Sequence, residues 1–307
     1  MKPVTSVIIC THNPRPDYLQ RVLDALRNQT LPLDQWELLL IDNASETALA
    51  RDWDLSWHPQ GRHVHQKKTG LSFARQKGIE EASSDLLVFV DDDNVVSPDY
   101  LVQALQIEQD WPQLGVWGGS ILPEFEIEPP VGLRKFLGYL ALREIKTARW
   151  TNIVECSDAQ PWGAGFCVRA NVATAYIKHC RETNLNLTGR ENRNLLSGDD
   201  TEICYVACSI GLGFGVFPEL NILHLISSNR LREDYIIRLV EGITTSTHLV
   251  RYKWDGIYPK SPKTVREISR IVVNLLMSRG VDRQVYLSIL RGASVARSML
   301  KNYSGGQ

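Results

Sequence analysis

The sequence predicts an α/β fold, a mostly parallel sheet flanked by helices, followed by a helical C-terminal extension. Three observations lead there. Continuous apolar runs at Val7 to Cys10, Leu38 to Ile41 and Leu86 to Val90 suit strands buried on both faces. Helical patterns separate these runs, and strands joined through helices lie parallel. Beyond about residue 230 strand signals stop, while Val265, Ile268, Val272, Leu275 and Leu276 recur at helical spacing.

Taken in order, the first run is followed by Leu19, Val22, Leu23 and Leu26, which share one helical face. The second run ends in the turn residues Asp42, Asn43, Ala44 and Ser45. Arg62 to Gln66 alternates weakly, Leu71 to Ala82 is helical in composition, and the third run leads into Asp91, Asp92, Asp93 and Asn94. Pro98 suits the first turn of the next helix. The middle, from about Gly115 to Asp200, is less regular and is expected to form the second wall of a cleft, and Asn221 to Leu225 is the last strand. The expected division is one domain over 1–230, with halves 1–120 and 121–230, and a basic helical extension over 231–307. The end, Gly305-Gly306-Gln307, is expected to be mobile.

With 307 residues, 43% of them apolar and 22% charged, the chain can bury a large core, which excludes disorder. The apolar run after Lys2 is too short for a signal peptide, and no stretch approaches the roughly 18 apolar residues of a membrane span. A cytoplasmic protein, or one peripheral on the inner face of a membrane, is expected. Cys10, Cys156, Cys167, Cys180, Cys204 and Cys208 lack the paired spacing of a disulfide framework or zinc knuckle, so reduced, buried thiols are expected. Cys204 and Cys208 would share a helical face, but two thiols do not complete a tetrahedral site. The net charge of −1 hides an asymmetry: Leu231 to Gln307 holds thirteen Lys or Arg against six Asp or Glu, a net of +7, leaving −8 for the rest. Such a tail suits an anionic partner such as lipid head groups, or a set of solvated helix faces.

The polar residues cluster at strand ends. Thr11-His12-Asn13, Asp42-Asn43 and Asp91-Asp92-Asp93 each follow a strand directly, so they converge on the sheet edge where ligands bind in folds of this kind. On an extended chain Asp91 and Asp93 point one way and Asp92 the other. Two carboxylates on one side suit a hard divalent cation, and an Asp-rich turn fits the same letters equally well. In Trp162-Gly163-Ala164-Gly165 the glycines would let backbone touch a ligand and Trp162 offers an apolar face, as would a glycine-rich hairpin around a core Trp. Ser197-Gly198-Asp199-Asp200-Thr201-Glu202 opens a helix. Asp199 with Glu202 fits a capping box, which leaves Asp200, about 100° further round, for chemistry.

The strings SVIICTHN, LLLIDNAS, KKTGLSFARQKGIEEA, LLVFVDDDN, PWGAGFCVR and SGDDTEICY, in this order, resemble the family 2 glycosyltransferases, which have the GT-A fold. The resemblance covers residues 6 to about 226 and leaves the C-terminal helices outside. It implies an inverting, metal-dependent transfer from a nucleotide-diphosphate sugar to an acceptor hydroxyl on a glycan or lipid-linked glycan, in bacterial-type polysaccharide or glycoconjugate synthesis. It implies nucleotide contacts at Thr11, Asn13, Asp42, Arg75 and Asp91, a Mn or Mg ion on Asp93 and His224, and a donor-sugar and acceptor junction at Asp92, Trp162, Gly163 and Asp199. Asp200 is implied as the general base. Many members of the family have Glu-Asp where this chain has Asp199-Asp200, a departure that falls on the residue assigned to capping. Without the resemblance, Arg75 reads as a solvent-facing helix residue and His224 as a hydrogen-bonded structural histidine.

Nucleic acid is not an expected partner. A sugar nucleotidyltransferase would show a glycine-rich basic loop after the first strand, where Thr11-His12-Asn13-Pro14-Arg15 has no glycine, and no phosphate-loop string of an ATPase occurs. A non-catalytic subunit of a polysaccharide assembly complex is the other alternative, although Asp91, Asp93 and Asp200 are all present.

Overall fold

The computed structural model describes residues 2–154, 157–183, 196, 198–262 and 264–304. Cys156, Ser197 and the 305–307 end, all read from the sequence above, lie outside the described residues. The chain divides into two units, the first made of Met1–Glu124, Ala141–Thr188 and Asp199–Ile226. In chain order this unit holds β1 (Thr5–Thr11), α1 (Pro16–Arg27), β2 (Trp36–Asp42), β3 (Gly61–His65), α2 (Leu71–Glu81), β4 (Leu86–Asp91), β5 (Asn94–Val96) and α3 (Tyr100–Asp110). It continues with β6 (Leu114–Phe125), β7 (Arg149–Thr151), β8 (Cys167–Arg169), α4 (Ala170–Glu182), α5 (Asp199–Ser209) and β9 (Gly213–Ile226).

One sheet runs in the order β3-β2-β1-β4-β8-β6-β9-β5, with β7 paired to β9. The strands read from apolar runs form its parallel half: β1 lies parallel to β2 and β4, and β2 to β3. Every residue of β1 and β2 is buried, as continuous apolar strands in a two-sided sheet require. The other half differs from the mostly parallel expectation, because β8 is antiparallel to β4 and β6, while β5 and β7 are antiparallel to β9. β5 follows β4 directly, and β7 and β8 arrive through irregular chain rather than crossover helices, so nothing forces these three parallel to their neighbours. The result is a mixed α/β sheet.

Helices cover both faces. On one, Leu19, Val22, Leu23 and Leu26 of α1 join Val7, Ile9, Leu38 and Leu40 in the main core. On the other, Gly78 brings α2 so close to β1 that an added Cβ would lie 2.5 Å from Ile8 Cγ2. Pro98 falls just before α3 rather than inside it, where its carbonyl accepts from Thr30 N at 2.8 Å. Cys10, Cys167, Cys180, Cys204 and Cys208 are free thiols, three of them buried.

The second unit comprises Phe125–Leu140, Gly189–Gly198 and Ser227–Gln307. Its helices are α6 (Glu233–Asp255), α7 (Val265–Met277) and α8 (Gly280–Ser304). α6 and α8 pack against one another through Gly292, where a Cβ would meet Glu241 O at 2.7 Å. Thr245 Oγ1 donates to the Gly292 carbonyl at 3.2 Å across the same contact. Gly256, at φ 67°, ends α6 in the left-handed conformation that a glycine adopts without strain.

The tightest approach in the sheet lies between β6 and β9, where a Cβ on Gly119 would fall 1.9 Å from the Leu220 carbonyl oxygen. Backbone cannot step aside as a side chain can. Gly119→Ala should therefore cost about 3 kcal/mol in urea unfolding. Gly132→Ala, where nothing lies within 4 Å, should stay within about 0.5 kcal/mol of the parent.

Candidate functional site

At the C-terminal edge of the parallel strands, polar side chains lace the loops together. Asn13, at the end of β1, holds φ 49°, a left-handed conformation that Asn tolerates. Its N–H donates to Ser45 Oγ at 3.0 Å, and its Oδ1 accepts from Glu46 N at 2.9 Å. Asp42, at the end of β2, accepts from Ser45 N at 2.9 Å and from Leu49 N at 3.2 Å. Burial raises the pKa of Asp42, but these bonds outweigh it and hold the carboxyl below its ordinary value. Asn43 donates to Lys68 O and accepts from Gly70 N, each at 2.7 Å, which fixes the entry to α2. Gly70 sits at φ 134°, so glycine is needed there. The residues after β1, β2 and β3 thus form one rigid rim.

The three aspartates at the end of β4 have different surroundings. Asp91 is partly exposed, Asp92 accepts a hydrogen bond from Thr11 Oγ1, and Asp93 is buried and accepts from the Asn94 amide. Asn94 of β5 is paired in register with His224 of β9. That pairing sets His224 Nε2 3.6 Å from Asp93 Oδ1, and both residues are buried. Residues 131 apart in sequence, each a candidate metal ligand, are therefore neighbours. Among the described residues no three His, Cys, Asp or Glu side chains form a closed metal cage.

Arg75 is the hub of the site. It projects from α2, is only 3% exposed, and its Nη1 donates to Asp199 Oδ2 at 2.5 Å. Nη2 donates to the Gly163 carbonyl at 3.2 Å and lies 3.6 Å from Asp91 Oδ1. Burial works against the guanidinium charge, and Asp199 and Asp91 outweigh it, so its pKa is raised. Both terminal nitrogens of Arg75 thus donate to protein groups, a different position from a solvent-facing helix residue.

Asp199 and Asp200 begin α5 and divide their roles. Asp199 is the first helical residue, and its buried carboxylate accepts from Arg75 where the sequence suggested a capping box. A buried guanidinium is a stronger partner for a carboxylate than a helix-end N–H. Asp200 accepts from Gly163 N at 2.9 Å and from Thr201 N at 2.7 Å. Its pKa is raised, first by burial and then by the neighbouring charge of Asp199, against the opposing pull of Arg75 and these N–H bonds. The helix dipole alone would lower it. Gly163 serves both sides at once, and a Cβ there would fall 2.9 Å from Arg75 Nη2.

Residues 6–155 match the model of Glycosyl transferase family 2. The match covers just under half of the chain, and that stretch is similar to the family. The putative glycosyltransferase EpsH of Bacillus subtilis is 31% identical over 111 residues, covering 35% of this chain and 31% of that protein. Glycosyltransferase AglE of Haloferax volcanii is 32% identical over 94 residues, 30% of this chain and 31% of that protein. The matched stretches thus span about a third of these curated relatives. Among solved structures, S. aureus TarS 1-349 in complex with UDP-GlcNAc aligns over 100% of this chain and 93% of that one, with a TM-score of 0.53 at 14% identity. The same protein in complex with UDP gives 0.52 at 15% identity, over 100% and 92%. These structures share the fold.

The sequence motifs did not reveal Arg143. Its guanidinium lies 4.3 Å from the Trp162 ring centroid, covering one face of that ring, and its Nη1 donates to Gln160 O at 2.6 Å. Gln160 in turn donates to Thr201 Oγ1 at 2.7 Å, so this layer supports the start of α5. Burial pushes the Arg143 pKa down to about 10 against the pull of Asp200. No motif marks Arg143, and only the proximity of Trp162 could have signalled it.

The Arg75–Asp199 pair, each side chain 4% exposed, gives a direct test. Arg75→Met strands a buried carboxylate and should cost about 3–5 kcal/mol in chemical denaturation. Arg75→Met combined with Asp199→Leu removes both charges and should recover most of that loss. Equal destabilisation in the single and double variants would show that the pair is not coupled.

Proposed function

We propose that this chain is an inverting glycosyltransferase that moves a sugar from a nucleotide-diphosphate donor to an acceptor hydroxyl, in polysaccharide or glycoconjugate synthesis of bacterial type. The observation that carries this reading is the Asp200 carboxylate, held by Gly163 and Thr201 N–H and raised in pKa at the start of α5. A raised pKa makes a carboxylate a better proton acceptor. In the proposed step the acceptor oxygen bonds to the anomeric carbon as the bond to the diphosphate breaks. The electron pair leaves with the diphosphate, and the acceptor proton passes to Asp200. One displacement inverts the anomeric centre.

Thr11, Asn13, Asp42 and Asp91 stand at the strand ends where the nucleoside is proposed to bind. Arg75 acts on the nucleotide indirectly in this reading, by fixing Asp91 and the Gly163 loop. Asp92, Trp162 and Gly163 face the donor sugar and acceptor, and Asp199 holds that junction through Arg75. A carboxylate oxygen and an imidazole nitrogen 3.6 Å apart, too far for a hydrogen bond and both buried, fit a divalent Mn or Mg ion on Asp93 and His224. When bound, such a cation supplies positive charge to the leaving diphosphate. TarS binds UDP-GlcNAc and UDP, which supports a uridine diphosphate sugar as the first donor to test. The glucosyl-dolichyl phosphate glucuronosyltransferase of Haloferax volcanii, 23% identical over 128 residues that cover 41% of this chain and 40% of that protein, supports a lipid-linked acceptor.

Asp200→Asn should lower turnover about a hundredfold to ten-thousandfold while leaving donor binding close to that of the parent. In the parent, activity should fall as pH drops through the raised Asp200 pKa, so the acidic limb of kcat should lie above the ordinary carboxylate value of 3.8. Near-normal turnover by Asp200→Asn would assign the proton to another group.

Asp93→Asn should abolish the manganese-dependent part of UDP binding in calorimetry, a larger effect than the roughly 10–100-fold typical of losing an outer-shell partner. His224→Ala should be milder, since water can take one position on such an ion. Unchanged manganese-dependent UDP binding in Asp93→Asn would place the cation elsewhere.

A further inference from the structure

α7 differs from its neighbours in the second unit. None of its residues is buried, whereas α6 buries Ile236, Leu239, Val240, Leu249 and Val250. The exposed side of α7 is nonetheless apolar. Val265, Leu276 and Met277 are 81%, 74% and 80% exposed, and Ile268, Val272 and Val273 are about half exposed. Val265, Ile268, Val272 and Leu276 follow the spacing of one helical face. The helix does not depend on burial to start: Thr264 Oγ1 accepts from Glu267 N at 3.2 Å, and Glu267 Oε2 accepts from Thr264 N at 2.9 Å, a complete capping box.

The charge around this face has one sign. Between Lys260 and Arg283 the sequence holds six Lys or Arg and two acids. One acid, Glu267, faces away and is engaged in the cap; the other, Asp282, pairs with Lys135 at 2.5 Å. Arg266 and Arg270, one turn apart on the flank of the apolar stripe, are exposed, as are Lys260, Arg279 and Arg283.

We infer that α7 is a membrane-contact helix, lying in the plane of an anionic lipid surface with its apolar face among the acyl chains and its arginines at the head groups. A helix of 13 residues is about 20 Å long, well short of the roughly 30 Å needed to span, and among the described residues no helix is long and apolar enough to cross a membrane. An apolar stripe flanked by basic residues is the pattern that settles at such an interface. A second copy of the chain fits less well, because two α7 faces brought together would gather the arginines of both helices, all of one charge, around the contact. The inference concerns the second unit and does not depend on the transfer chemistry proposed for the first.

The test is flotation of the full-length chain, without donor or metal, on phosphatidylcholine vesicles with and without phosphatidylserine. Binding to the phosphatidylserine vesicles is expected, weakening as salt rises. Val272→Asp with Leu276→Asp should abolish it at every salt concentration. Arg266→Glu with Arg270→Glu should weaken it about tenfold or more at low salt and little at high salt. Because these side chains are exposed, the variants should keep the parent's circular dichroism and unfolding midpoint. No binding by the parent, or equal binding by Val272→Asp with Leu276→Asp, would overturn the inference. So would a parent dimer in sedimentation that Leu276→Asp dissociates, which would give this face to a second copy.

Discussion

The site depends on one buried cation. Arg75 stands among Asp91, Asp199 and the Gly163 carbonyl, and each belongs to a different part of the chain. A guanidinium suits this post because it stays charged and presents several donors in a fixed fork, which a lysine would not. Three carboxylates near one another would otherwise repel, and two of them could not be charged together in a buried setting. With Arg75 in place, Asp199 is satisfied, and Asp200 is left as the carboxylate whose proton affinity the surroundings raise.

Around that cation the rest of the edge is backbone chemistry. The rim formed by Asn13, Asp42 and Asn43 uses side chains to satisfy main-chain N–H and C=O groups that loops leave open. Asp42 and Asn43 are buried in doing so, and Asn13 is exposed. A scaffold of this kind holds polar groups in place before a ligand arrives, which spares the cost of ordering them on binding.

How much of this could be seen in the sequence follows from how local each signal is. β1, β2 and β4 were legible because a parallel strand buried on both faces is a continuous apolar run, and the polar ends of those runs placed Thr11, Asp42 and Asp91 along one edge of the sheet. β5, β7 and β8 are three residues each and leave no periodicity to detect. The Arg75–Asp199 pair joins residues 124 apart, so Asp199 looked like a helix cap from its neighbours alone. Arg143 escaped for the same reason. The apolar stripe of α7 marked a helix, but spacing does not tell whether such a stripe meets a core or solvent.

The capping box of α7 has a consequence for how that helix meets anything outside the protein. Many amphipathic segments are unstructured in water and wind up only on contact, so part of their contact energy is spent on ordering the backbone. Here two reciprocal side-chain bonds already hold the first turn, and the helix packs against α8. Its adhesion would resemble the landing of a rigid paddle. The rate of approach would then be set by electrostatic attraction and orientation rather than by folding.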